Sequence, residues 1–272
     1  MSATKQQGSA SGSTPGEAPA LSGEQLTELL ALIKGADSVE LKLSVPDGNR
    51  RSTVAALDMD PLDGQIRQVM FFDTPDLQLN RHGIVVRARR VQGREGDTTV
   101  KLRPVVPDEL PSELRASPMF GVEVDGMPGG FVCSASLKGK RDDAAVKAVF
   151  RGEASIRKLL TKEQRAFYAD HAPDGLDLDA LSRLGPINVV KLKFTPKGFD
   201  RRMVAELWNY PDGSRLLELS TKCLPSETFL VSAEARAFLA SAGIDLSAEQ
   251  QTKTRTALEF FSSELAAAGD NT

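Results

Sequence analysis

Cysteine and histidine are scarce, with two of each in 272 residues. Cys133 and Cys223 lie far apart and lack CxxC spacing, so neither a disulfide framework nor a zinc site is expected, only two reduced thiols in a cytoplasmic protein. No stretch reaches the roughly 18 apolar residues of a membrane helix. The glycine-rich GxxxxGK phosphate loop is missing, which argues against a P-loop enzyme. No Ser-His-Asp or Cys-His set is supported. The formal net charge is only −3, so the whole chain is not built to bind nucleic acid or an anionic membrane. Any anion site must therefore come from local clustering. What is present is ordinary globular material, 40% hydrophobic and 26% charged, enough for a sizeable core.

Residues 1–21 are rich in Ser, Gly, Pro and Ala and lack the apolar middle of a signal peptide, so they read as a disordered tail. Order is expected from Ser22, which opens a capping-box pattern ahead of Leu26, Leu29, Leu30 and Ile33 at helical spacing, stopped by Gly35. The period then changes to two. Strands are expected over 38–45, 65–72, 83–91, 98–103, 120–125, 187–194, 202–209 and 214–222, with a hairpin loop at 92–97 and an Asp212-Gly213 hairpin turn. Residues 142–171 read as helical, with Val146, Val149, Ile156, Leu159, Leu160 and Phe167 as the apolar stripe. Two amphipathic helices, 232–242 and 247–268, follow the last strand. No tandem repeat of 20–50 residues is visible.

Charged residues recur in i, i+2 pairs, which point the same way in a strand: Glu40 and Lys42, Arg87 and Arg89, Lys101 and Arg103, Glu123 and Asp125, Lys191 and Lys193. Glu206 and Glu218 sit on the two arms of the Asp-Gly hairpin. A solvated sheet face explains any one pair. Long cations on consecutive strands with no acids between them do not suit a wet face, because like charges would then stand opposite each other. If the helices cover the outer face, the charged face must curl inward into a closed or nearly closed barrel. A basic interior is costly unless an anion sits in it. A triphosphate is such an anion, and the acids would hold a divalent cation shared with its phosphates.

Three segments carry a resemblance: SVELK at 38–42, FFDTPDLQLNRHGIVVRARR at 71–90 with TVKLR at 99–103, and VVKLK through LELS at 189–220. In them the chain resembles the CYTH superfamily, the triphosphate tunnel metalloenzymes. The resemblance implies an α+β fold, an eight-stranded antiparallel β-barrel with helices packed outside, spanning residues 22–268 as one tunnel domain. It implies that Lys42, Arg87, Arg89, Lys101, Arg103, Lys191 and Lys193 bind phosphate. Glu40, Glu123, Asp125, Glu206 and Glu218 would hold Mg²⁺ or Mn²⁺, and Glu40, Lys42, Lys101 and Lys191 would stand in the catalytic positions. The expected activity is hydrolysis of a phosphoric anhydride in inorganic tripolyphosphate or in a nucleoside or thiamine triphosphate. The expected partner is thus a small polyphosphate or nucleotide, with no nucleic acid and no membrane; a homodimer is compatible with the sequence.

The chain departs from the family pattern twice. Ser38 stands where E-x-E-x-K has its first Glu, and Ser220 stands where the closing E-x-E has its second. A hydroxyl is a far weaker ligand for Mg²⁺ than a carboxylate. Two other readings therefore stay open: adenylate cyclase of the class IV type, and a non-catalytic polyphosphate or nucleotide binder. Among weaker signals, His82 reads as a surface turn residue and Asp73 as a turn cap. Trp208 reads as core or rim packing, or as a base-stacking ring if it faces the tunnel. Lys253 and Arg255 read as a solvated helix face, unless that helix lies across a tunnel mouth.

Overall fold

A computed structural model describes residues 22–128, 130–246, 250 and 253–269. The expected tail at 1–21 and the first residues of the expected 247–268 helix lie outside the described residues. Among the described residues nine strands form one closed barrel: β1 (Ser38–Val45), β2 (Gln65–Asp73), β3 (Ile84–Val91), β4 (Arg94–Leu102), β5 (Phe120–Met127), β6 (Gly130–Arg141), β7 (Ser182–Phe194), β8 (Met203–Asn209) and β9 (Arg215–Cys223). Around it run α1 (Gly23–Lys34), α2 (Arg50–Ala56), α3 (Gln78–Arg81), α4 (Ser112–Arg115), α5 (Asp143–Phe150), α6 (Ile156–Leu159), α7 (Lys162–Ala169), α8 (Thr228–Ser241) and α9 (Lys253–Gly269). No helix among the described residues is long and apolar enough to cross a membrane.

The barrel order is β1-β5-β6-β4-β3-β2-β7-β8-β9, closing back on β1. This corrects the eight-stranded antiparallel expectation. An odd number of strands cannot alternate up and down around a closed ring, so at least one neighbouring pair must run parallel. That pair is β1 with β5. The strand missing from the sequence reading is β6. Residues Cys133, Ser134, Ala135, Ser136 and Leu137 are all buried, so small and hydroxyl-bearing residues occupy both faces and the period-two contrast disappears.

Two loop readings also change. The hairpin after β3 is tighter than 92–97, because Val91 already pairs with Arg94 and Gly93 takes φ +73° in the two-residue turn. The helical stretch 142–171 is three helices rather than one. Gly152 turns left-handed at φ +79°, and Ser155 and Thr161 each restart a helix by accepting a backbone N–H with the side chain. Its apolar stripe still packs as expected, with all six residues in one cluster on the outer face of β3, β4 and β6.

Helices cover the outside of the wall. Leu29 and Ile33 of α1 pack with Val39, Val122 and Val124, and Ala235 and Leu239 of α8 pack with Leu43, Ala205 and Leu219. Ser22 caps α1 reciprocally with Gln25, as its sequence implied. Gln164 of α7 is fully buried and ties the helix to the wall, donating to the carbonyls of Thr98 and Leu137 and accepting from the Thr98 hydroxyl. Gln164→Leu removes these three hydrogen bonds and should cost about 1–3 kcal/mol of stability, read from the denaturant midpoint. An unchanged midpoint would show that the tie contributes nothing.

Candidate functional site

With outer faces taken by apolar packing, period two sends the alternate side chains of each strand inward. The interior holds a cavity of about 670 Å³ whose lining contains eleven Lys and Arg side chains against five carboxylates. A protein of net charge −3 has thus concentrated positive charge in its middle. Of the expected cations, Lys42, Arg87, Arg89, Lys101, Arg103 and Lys191 line the cavity, whereas Lys193 is exposed and lies outside its lining. Arg67, Lys138 and Lys222 join the lining without having been singled out in the sequence. Arg67 and Lys222 have no i, i+2 partner of like charge, so the pairing signal passed over them, while Lys138 pairs with Lys140 on β6, the strand missing from the sequence reading.

The cationic wall is built by β3 and β4. Gly83 sets its edge: at φ +72° an added Cβ would fall 2.5 Å from the Arg103 carbonyl, and the Arg103 N–H donates to the Gly83 carbonyl at 2.7 Å. Asp73, buried at the end of β2, accepts from the backbone N–H groups of Thr74, Leu79 and Asn80 at 2.7–2.9 Å, the capping role its turn implied. Arg87 is held at 3.3 Å from the Thr99 hydroxyl, and its buried Nε has no partner. Burial and the adjacent Arg89 push Arg87 down to about 10, so it keeps its charge at neutral pH. Arg89 is forked onto Asp97 at 2.8–3.0 Å. Burial pushes the Lys101 ammonium down to about 8 despite Asp125 beside it.

The acids fall into two groups. Parallel pairing of β1 and β5 puts Ser38 opposite Glu123 and Glu40 opposite Asp125. Ligand oxygens of Glu40, Glu123 and Asp125 then lie within 4.8 Å of one another, the one such cluster among the described residues. Asp125 is completely buried, with Lys42 Nζ at 2.7 Å, Arg103 Nη1 at 3.2 Å and Lys101 Nζ at 3.7 Å. Lys42 takes its Oδ1, while its Oδ2 meets Lys101 and Arg103 without a hydrogen bond of good geometry. Burial alone would raise the Asp125 carboxyl, but Lys42 and Lys101 hold it below its ordinary value. Glu40 is likewise held down, against burial, by Lys42 and Lys253. The three carboxylates offer hard oxygen donors of the kind Mg²⁺ and Mn²⁺ take.

Both departures from the family pattern lie in this cluster. Ser220 donates its hydroxyl to Glu40 Oε1 at 2.9 Å, and Ser38 makes a long 3.5 Å approach to Glu123 Oε2. The serines therefore orient the acids that remain.

Glu206 and Glu218 form the second group, facing each other across the β8–β9 hairpin. Lys191 Nζ donates to Glu206 Oε1 at 2.9 Å. Lys253 Nζ, from the first turn of α9, donates to Glu218 Oε1 at 2.8 Å and to Glu206 Oε2. These lysines hold Glu206 well below the usual carboxylate range against the effect of burial. Lys253 is thus no solvated helix residue. Further along α9, Ala257 and Leu258 are buried against Val69, Phe71, Trp208 and Leu216, so the helix seals this end of the barrel. Trp208 is 2% exposed, stacked on Phe71 at 6.4 Å with the Lys253 ammonium 5.5 Å above its ring. His82 stands in its turn with Nδ1 2.8 Å from the Gln78 carbonyl.

No protein-family model matches the sequence, and no curated protein matches it significantly. Solved structures do match in three dimensions. HpAC1 of Hippeastrum, a candidate adenylyl cyclase that reveals a dominant triphosphatase activity, superposes with a TM-score of 0.59 at 17% identity, covering 79% of this chain and 92% of that one. A candidate adenylate cyclase of Bacillus halodurans superposes with a TM-score of 0.56 at 13% identity, covering 81% and 97%. At such identities the likeness is one of fold. The chain shares its fold with these two proteins, a closed mixed β-barrel with helices packed outside.

Proposed function

We propose that this protein is a metal-dependent triphosphatase that takes a triphosphate, inorganic tripolyphosphate first, into the barrel. The observation that carries the reading is the excess of cations lining the cavity, with the buried Arg87 Nε unpartnered among them, beside a cluster of three carboxylates. Buried charges of one sign are tolerated when an opposite charge meets them. Here the acids and the cations already pair with one another, as Asp125 does with Lys42, Lys101 and Arg103. A metal–triphosphate complex carries both signs and can satisfy the two walls at once.

In this reading Arg87, Lys101 and Arg103 grip phosphate oxygens by charge-assisted hydrogen bonds. Lys42 bridges the walls, in reach of Glu40 at 3.2 Å as well as Asp125. Glu40, Glu123 and Asp125 would hold the divalent ion, and that ion would supply charge neutralisation on the phosphoryl group. The protein's own share is positioning and electrostatic stabilisation, the usual demands of phosphoryl transfer. Trp208 lies beneath Lys253 and against Phe71, so it offers no free face to a base, which favours tripolyphosphate over a nucleotide.

Phosphate release should be measured with Mg²⁺ and with Mn²⁺ on tripolyphosphate, ATP and thiamine triphosphate, with ATP products examined for cyclic AMP. Metal-dependent release, fastest on tripolyphosphate, is expected. Cyclic AMP as the product would make the protein a cyclase, and anion binding without turnover would make it a binder.

A further inference from the structure

Five carboxylates reach the cavity, but they are not equivalent. Glu40, Glu123 and Asp125 converge on one another. Glu206 and Glu218, side by side on neighbouring strands, converge on an ammonium group instead. Lys253 makes close contact with one oxygen of each, and Lys191 takes the remaining Glu206 oxygen at 2.9 Å. The lysine is also held from behind. The Tyr210 hydroxyl donates to its backbone carbonyl at 3.2 Å, its ammonium sits over the Trp208 ring, and the next turn of α9 is anchored by Ala257 and Leu258. An ammonium fixed between two buried carboxylates has the charge sign and the place that a divalent ion bridging them would have.

We propose that Lys253 Nζ is a built-in substitute for a second divalent ion, so that this tunnel takes up a single one, at Glu40, Glu123 and Asp125. The inference rests on the metal-dependent reading above, but it concerns stoichiometry and not turnover. Lys253 is a positioning residue here: it neutralises Glu206 and Glu218 and keeps their negative charge from opposing an incoming polyphosphate. The chain has then exchanged a diffusible cation for a tethered one, whose occupancy does not depend on metal concentration.

The test is the number of Mn²⁺ ions bound per chain, counted by calorimetry and by electron paramagnetic resonance with Mn²⁺ as the only added ligand. The wild type should bind one. Lys253→Met keeps an unbranched apolar side chain and removes the charge, so it should bind two, and Lys253→Met/Glu218→Gln should return to one. Glu40→Gln should remove the wild-type ion. None or two ions in the wild type overturns the proposal, as does a single ion in Lys253→Met. If that variant does not fold, Lys253→Gln serves in its place, and the wild-type count stands by itself. Because tripolyphosphate enters none of these measurements, failure of the triphosphatase reading would appear separately, as absent phosphate release.

Discussion

Arg87→Ala should lower the affinity for tripolyphosphate about 10- to 150-fold, the equivalent of a charged hydrogen bond of roughly 1.5–3 kcal/mol. Arg87 is the cation with most to gain from an anion. Its Nε is buried and unpartnered, its one side-chain hydrogen bond is a long one to Thr99, and Arg89 beside it is a like charge. Arg89 already has Asp97, so its replacement should cost less. The same arrangement makes a second, opposite forecast for stability. Removing a buried cation that lacks full partnership relieves a desolvation cost, so the melting temperature of Arg87→Ala should hold or rise while binding falls. Titration calorimetry and a thermal melt on the same preparation check both. A drop in melting temperature with unchanged affinity would show that Arg87 is structural.

Asp125→Asn should fail in the other direction, losing stability and metal binding together. Asp125 is the shared counter-charge of Lys42, Lys101 and Arg103, and breaking a buried pair by removing one partner costs about 3–5 kcal/mol. The pH dependence separates this from a simple packing defect. Folding holds the Asp125 carboxyl below its ordinary value, near 3.9 in an unfolded chain. Its contribution is therefore fully present above that pH and is lost as pH falls through the lower, folded value. Wild type and Asp125→Asn should differ most near neutrality and converge in acid. Denaturant unfolding at several pH values is the measurement. A difference that persists unchanged into acid would show that the carboxylate's charge does not carry the effect.

The two residues were visible to different degrees. Arg87 and Arg89, and Lys101 and Arg103, are legible as cations two apart on neighbouring strands, because a hairpin joins them and their pairing is local in the chain. Asp125 is legible as a charged strand residue, but its meeting with Glu40 is not. It requires β1 and β5 to lie side by side across the 74 residues between Val45 and Phe120, and in parallel. The strand β6 escaped because burial on both faces erased its alternation, and without it the parity of the barrel is wrong. Lys253 carried only the ordinary marks of a helix surface, since helical spacing says which face a residue lies on and not what that face meets.

Tunnel and cations, then, are properties of the sequence by itself. Period-two placement is local: once one strand face is apolar enough to pack under helices, the Lys and Arg residues between must turn to the other side. Which acids gather into one cluster, and which are closed off by a lysine, was decided only in the tertiary structure. Those choices depend on the neighbour each strand finds on closing a ring of odd number, and on where α9 lays its first turn. Both are contacts between distant parts of the chain, and no spacing within a strand or helix encodes them.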